Sequence, residues 1–248
     1  MPDYMDQSTL KKLNTLNQKF YDVVSEKFSE TREVPWSGWT ELIPLLQEKF
    51  SQTSLTVLDI GGGNGRFGVF LKTHFTESTF TYVDLDSSPK LLLLAERSLV
   101  KTFSKDTYVL ETLDLVEKVP EMKADLIVLF GVLHHLPSRK LRTQRIQQLA
   151  KLLNPGGILI FTAWQFDQLP NIFNRRQSSH ELGFEKEELE ENDYFLTWER
   201  GVQATRYCHL LNQTEIDDLI TSSGLKLIKQ FPADGKNCQT NQYIVLRR

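Results

Sequence analysis

The stretch "DIGGGNGRFG" at positions 59–68 carries two glycine patterns in overlapping frames. Gly63, Gly65 and Gly68 spell G-x-G-x-x-G, in which glycines let the backbone approach a pyrophosphate at a helix N-terminus. One frame earlier, Asp59, Gly61, Gly63 and Gly65 spell D-x-G-x-G-x-G, which sets a carboxylate ahead of the same tight turn. The loop alone is compatible with both. An acid at that place repels a pyrophosphate and suits a cationic amino group, so the residues that decide lie outside the loop. Asp86, with Asp84 in reserve, stands where a carboxylate can take both hydroxyls of a ribose, and Ser88-Pro89 just beyond favours Asp86. Asp114 is placed to accept from an adenine amino group.

These acids need strand ends to hold them, and the pattern supplies strands. "LTVLDI", "TFTYVDL", "DTYVLE", "ADLIVLFG" and "ILIFTAW" read as apolar strands, alternating with helices over residues 67–75, 90–100 and 139–153. Continuous apolar strands between amphipathic helices predict a doubly wound α/β fold, its parallel sheet covered on both faces. Ahead of it, Leu13, Leu16, Phe20, Val23, Val24 and Phe28 recur at helical spacing, and a second helix begins after Pro35. Residues 1–50 thus read as an N-terminal helical lid and 51–248 as the main domain. After the fifth strand, residues 166–205 read as a partly helical insertion over the strand ends. Regular structure resumes at Thr214 with a helix and then "LKLIKQF" and "NQYIVLRR", an antiparallel hairpin at one sheet edge. His134 and His135 read as the end of the fourth strand, where neighbouring side chains face opposite ways, so no shared metal is expected.

Bulk properties exclude several classes. The 248 residues are 40% hydrophobic and 25% charged, with no apolar run near the roughly 20 residues a membrane helix needs. The first twelve residues lack the layout of a secretion signal, which implies a cytoplasmic protein. Cys208 and Cys238 are too few and too far apart for a disulfide framework or a zinc knuckle. A net charge of −3 does not advertise nucleic-acid binding. Acid concentrates at residues 185–193, base at residues 138–145 and at Arg175-Arg176.

"VLDIGGGNGRFG", "YVDLDSSPKLL", "ADLIVLFGVLHHLP" and "LAKLLNPGGILIFT" together resemble the successive motifs of class I S-adenosylmethionine (SAM)-dependent methyltransferases, over residues 56–162. The resemblance implies a Rossmann-like seven-stranded sheet with an antiparallel last strand, and SAM held by Asp59, Gly61, Gly63, Gly65, Asp86 or Asp84, and Asp114. A narrower resemblance reaches both ends. "FYDVVSEKFSETREVPW", "YFLTW", "RYCHLLNQTEIDDLI" and "NQYIVLRR" are similar to segments of the tRNA wobble-uridine carboxymethyl methyltransferases, including the methyltransferase domain of AlkB-type fusion proteins. Gly62 stands where those relatives often carry Cys, an exchange expected to be harmless.

That family esterifies a carboxymethyl group on the wobble base of a tRNA anticodon loop, and its eukaryotic members work with a small zinc-binding activator subunit. A carboxylate has a pKa near 4 and needs no general base, so positioning should dominate. Arg32 and Arg206 are the candidates to hold it. Tyr207 and His209, sharing a face if this piece is extended, are further substrate candidates. By family position His135 faces the acceptor, and Trp164 is placed to stack on a base. Two other functions fit the same cofactor motifs: a small-molecule methyltransferase with the insertion as lid, and a non-catalytic SAM-binding regulator.

Overall fold

Neighbouring residues of a strand point to opposite faces, and in the strand β1 (Leu55–Ile60) both Val57 and Leu58 are fully buried. Such a strand must be covered on both sides, and the elements around it alternate accordingly. The structure, a computed structural model, describes residues 5–32, 34–51 and 54–248; residues 1–4 of the N-terminal segment, Glu33, Gln52 and Thr53 lie outside the described residues. Helices α1 (Gln7–Glu30), α2 (Ser37–Thr40) and α3 (Ile43–Phe50) precede β1. Then come α4 (Arg66–His74), β2 (Phe80–Asp86), α5 (Pro89–Leu99), β3 (Tyr108–Thr112), β4 (Ala124–Leu129), α6 (Arg139–Leu152) and β5 (Leu153–Trp164). The chain continues through α7 (Pro170–Phe173), β6 (Arg176–Gln177), β7 (Asp193–Trp198), β8 (Ala204–His209), α8 (Gln213–Ser223), β9 (Lys226–Ala233) and β10 (Asn241–Arg247).

Seven strands form one sheet in the order β3-β2-β1-β4-β5-β10-β9, and β10 runs antiparallel to both of its neighbours. This is the expected Rossmann-like sheet. One face packs Val57, Tyr82, Val128 and Ile160 against Phe67, Phe70, Leu99 and the helices before β1. The opposite face packs Leu58, Val83, Ile127 and Phe161 against Ile146 and Leu149 of α6 and Ile216 and Leu219 of α8. Each Leu- or Phe-sized side chain so buried stabilises the fold by about 1.5–3 kcal/mol.

Helix boundaries follow local chemistry. Ser88 accepts from the Leu91 amide and Pro89 occupies the first turn of α5. Asn212 and Glu215 form a reciprocal capping box on α8, which Gly224 ends in the left-handed region.

Two readings of the sequence change. The N-terminal fifty residues divide in two: Trp39, Leu42, Leu46 and Phe50 belong to the main core, and α1 alone lies across the strand ends, packed by Leu13 against Phe195 and Tyr207. The insertion after β5 is partly helical, as expected, in single turns only, but it also carries strands. β6, β7 and β8 form a second, antiparallel sheet, so strand pairing returns at Arg176, well before Thr214.

Candidate active site

The strand order reverses between β1 and β4, and the crevice outside that switch point is where a doubly wound sheet takes its ligand. A cavity of about 1160 Å3 lies there, lined by Asp59, Gly61, Gly63, Asp86 and Asp114 on one wall and Arg32, His135, Trp164 and Arg206 on another. That volume exceeds the roughly 300–1,000 Å3 of a single drug-sized site, leaving room for a second reactant.

The acidic wall is made by β1 and β2. Gly61, Gly63 and Gly65 all have positive φ, so the turn after β1 is one that L side chains resist. Asp59 accepts from the Tyr82 hydroxyl, and burial pushes its carboxyl up to about 7 despite that bond. Asp86 accepts from the Gly63 amide at 3.0 Å and the Ser88 amide at 2.8 Å, while burial raises it to about 6. Asp86, and not Asp84, lines the cavity. Asp84 lies fully buried behind the glycine loop with both oxygens unpartnered among the described residues, and burial drives it well above the carboxylate range, hence neutral. Its carboxyl fills the space that a side chain on residue 62 needs: a Cβ on Gly62 would meet Asp84 Oδ1 at 2.4 Å. A Cys introduced at Gly62 would therefore overlap the Asp84 carboxyl in this chain.

Asp114 is held by the helix above it. Asn14 and Gln18 of α1 donate to its Oδ2 at 2.7 and 2.9 Å, and the Val116 amide donates to Oδ1 at 2.8 Å. Sequence reasoning missed this contact and others from α1. The signal was a polar stripe, Asn14, Gln18 and Tyr21, at helical spacing beside the apolar one.

The opposite wall is cationic and aromatic. Arg206 is 8% exposed, lies between the Phe20 and Trp164 rings at 5.1 and 4.9 Å, and makes no ion pair or hydrogen bond among the described residues. Arg32 lies over the Phe28 ring at 3.3 Å and donates to the Thr31 hydroxyl at 2.9 Å. Burial, followed by the charge of Arg206, lowers Arg32 to about 9. Arg206 is buried and Arg32 half-buried, and neither guanidinium has a carboxylate partner among the described residues, an arrangement suited to an anion.

His134 and His135 are not on a strand. β4 ends at Leu129, Gly131 turns the chain at φ +75, and a single 3-10 turn over Leu133–His135 brings the two rings to 4.1 Å. Both therefore line the cavity, and the alternation argument fails. Potential ligand atoms of His134, His135 and Cys208 lie within 4.8 Å of one another. His135 is already engaged, however: Nδ1 lies 3.0 Å from the Tyr207 carbonyl, which only accepts, so Nδ1 carries the proton and Nε2 accepts from Tyr21 at 2.8 Å. Burial, with Arg206 and Arg32 nearby, lowers His135 to about 3.

Tyr207 and His209 do share a face of β8, but it is turned away from the cavity. Both meet Asp193 Oδ1 at 2.7 Å, and His209 Nε2 lies 3.0 Å from Glu215 and from Arg142 Nη2. Arg142 also reaches Glu190 at 2.6 Å and Glu215 at 3.0 Å. This buried cluster ties the small sheet to α6 and α8. Its residues are struts, not substrate ligands.

Residues 30–230 match the family model described as "Methyltransferase domain", and the chain belongs to that family. Among relatives, a protein of Encephalitozoon cuniculi, named only as a methyltransferase, is 29% identical over 85% of this chain and 87% of its own length. The tRNA (carboxymethyluridine(34)-5-O)-methyltransferase of Schizosaccharomyces pombe is 22% identical over 87% of this chain and 91% of its own. That of Macaca fascicularis is 26% identical over 66% of this chain, which spans only 21% of the macaque protein. Magnesium protoporphyrin IX methyltransferase from Synechocystis, solved with SAM, superposes with a TM-score of 0.63 at 13% identity, over 95% of this chain and 96% of that one. The acidic wall suits SAM, the cofactor of this class.

Proposed function

We propose that the chain methylates the carboxylate of a carboxymethyl group on the wobble uridine of tRNA, forming the methyl ester. The observation that carries this reading is Arg206, a buried cation in the cavity wall with no ion-pair partner among the described residues. The names of the Schizosaccharomyces pombe and Macaca fascicularis relatives supply the particular acceptor.

When bound, SAM supplies an electrophilic methyl group on a sulfonium. The chain's own part is placement. Arg32 and Arg206 hold the acceptor carboxylate, and the Trp164 ring beside Arg206 stacks on the uracil. A carboxylate with a pKa near 4 is ionised at neutral pH and needs no proton removed. His135, held near 3 and hydrogen-bonded at both nitrogens, positions Tyr21 and β8 and does not act as a base. Arg200 and Lys236 line the exposed mouth of the cavity, where phosphates of an RNA loop would pass. Nucleoside mass spectrometry of tRNA from a strain lacking the gene tests the reading. Unesterified carboxymethyluridine should accumulate at the wobble position; unchanged wobble uridine would shift the function to a small anionic acceptor.

A further inference from the structure

His134 differs from His135 in having no hydrogen bond at all among the described residues. It is 4% exposed, its ring sits 4.1 Å from His135 and 5.1 Å from Trp164, and it lines the cavity. Its Nδ1 is fully buried without a partner, whereas Nε2 is not buried to that degree and is the nitrogen the cavity reaches. A buried N–H with nothing to accept it is the rarer and costlier orphan, compared with an unfilled lone pair. The proton therefore belongs on Nε2. Burial first, then His135, Arg206 and Arg32 beside the same ring, lower His134 well below the usual imidazole range, so it stays neutral.

We infer that His134 is the neutral hydrogen-bond donor of the acceptor site, its Nε2–H reaching an oxygen of the anionic acceptor beside Arg206. The inference rests on the proposed function, and gives to His134 the acceptor-facing place that the family resemblance implied for His135. A neutral donor orients a carboxylate while leaving more charge on the attacking oxygen than a third cation would. His134 thus sets which oxygen is held and which is free to attack.

Two measurements separate this assignment from the substrate reading. In 15N-histidine-labelled protein, without substrate, His134 should be the Nε2–H tautomer across pH 6–8; an Nδ1–H tautomer or a charged ring overturns the assignment whatever the substrate is. The second is single-turnover methyl transfer to tRNA bearing carboxymethyluridine, where turnover by the unaltered protein first checks the reading itself. His134→Phe keeps a ring of similar size and removes the donor. It should lower turnover at subsaturating tRNA by about 10- to 150-fold, as for loss of one hydrogen bond to a charged group, with SAM affinity and melting temperature unchanged. His134→Gln, whose amide nitrogen can reach the place of Nε2, should recover most of that loss. A His134→Phe variant within twofold of the unaltered protein, or a Gln variant as impaired as Phe, overturns the inference.

Discussion

The two walls of the cavity solve opposite electrostatic problems. Along one, Asp59 and Asp86 line the cavity with Asp84 buried behind them, and burial pushes all three upward, Asp59 to about 7 and Asp86 to about 6. Along the other, buried Arg206 and half-buried Arg32 lack a carboxylate partner among the described residues, and Arg32 is lowered to about 9. Burial is the first cause of the shifts on both walls, one lined by carboxyl groups and the other by guanidiniums. That contrast between the walls is what variants should expose.

The largest effect is expected at the cationic wall. Arg206→Ala should reduce methyl transfer at subsaturating acceptor by more than about 100-fold, in line with loss of a buried charge-assisted contact. Because the guanidinium is unpaired, its removal should leave the melting temperature unchanged or raised. Turnover and thermal melts on the same variant check both halves, and a large loss of stability would mean that Arg206 has a structural partner.

At the acidic wall, Asp59→Ala and Asp86→Ala should each weaken SAM binding by roughly 1–3 kcal/mol, measured by calorimetry. The pH dependence has a definite sign. Asp59 must be ionised to meet an ammonium group, and burial holds it near 7, so SAM affinity should fall as pH drops below about 7, by up to about tenfold per unit, with a proton released on binding. Flat affinity between pH 6 and 8 would contradict the burial-driven shift.

A smaller effect concerns the exchange behind the glycine loop. Gly62→Cys should destabilise the fold by about 1–3 kcal/mol because the new Cβ overlaps the Asp84 carboxyl, and Asp84→Gly should restore it in the double variant. Additive effects would mean the two positions do not share that space.

The smallest effect is expected from the strut cluster, remote from both walls. Burial alone would raise Glu215, but His209 and Arg142 outweigh it and hold it at about 2. Its stabilisation is present above its ordinary pKa and is lost as pH falls toward 2. His209 is raised through Asp193 and Glu215, against burial, so its contribution is present below about 6.5 and is lost as pH rises through the raised value. Urea melts of His209→Gln and the unaltered protein should therefore differ more at pH 5.5 than at pH 9.

The same contrast between walls explains what the sequence revealed. The acidic wall is local: Asp59, the glycines and Asp86 lie at the ends of two adjacent parallel strands, so spacing and residue type survive in the linear order. β1 could be bounded from "LTVLDI" alone for the same reason. The cationic wall gathers Arg32 from beyond α1, His134 from a turn, Trp164 from β5 and Arg206 from β8, and no periodicity links them. "VLHH" continues an apolar run and so resembles strand, but the positive φ of Gly131 ends the strand and puts both rings on one side. β7 is half-buried in a pattern without alternation, which hid the second sheet. Tyr207 and His209 were placed on a common face correctly, yet which face only the packing of α1 and α6 decides.

The central claim is that the acceptor is a carboxylate, and the fate of the methyl group tests it most directly. The purified chain should be given SAM with a labelled methyl group and tRNA carrying unesterified carboxymethyluridine, then the product treated with mild alkali. An ester returns the label as methanol and regenerates the acid, with a transfer rate nearly flat from about pH 6 to 9 because no base is used. Label that stays on the nucleoside after alkali, or a rate rising one log unit per pH unit to a histidine-like break, would show methylation of a nitrogen or a protonated oxygen and contradict the account.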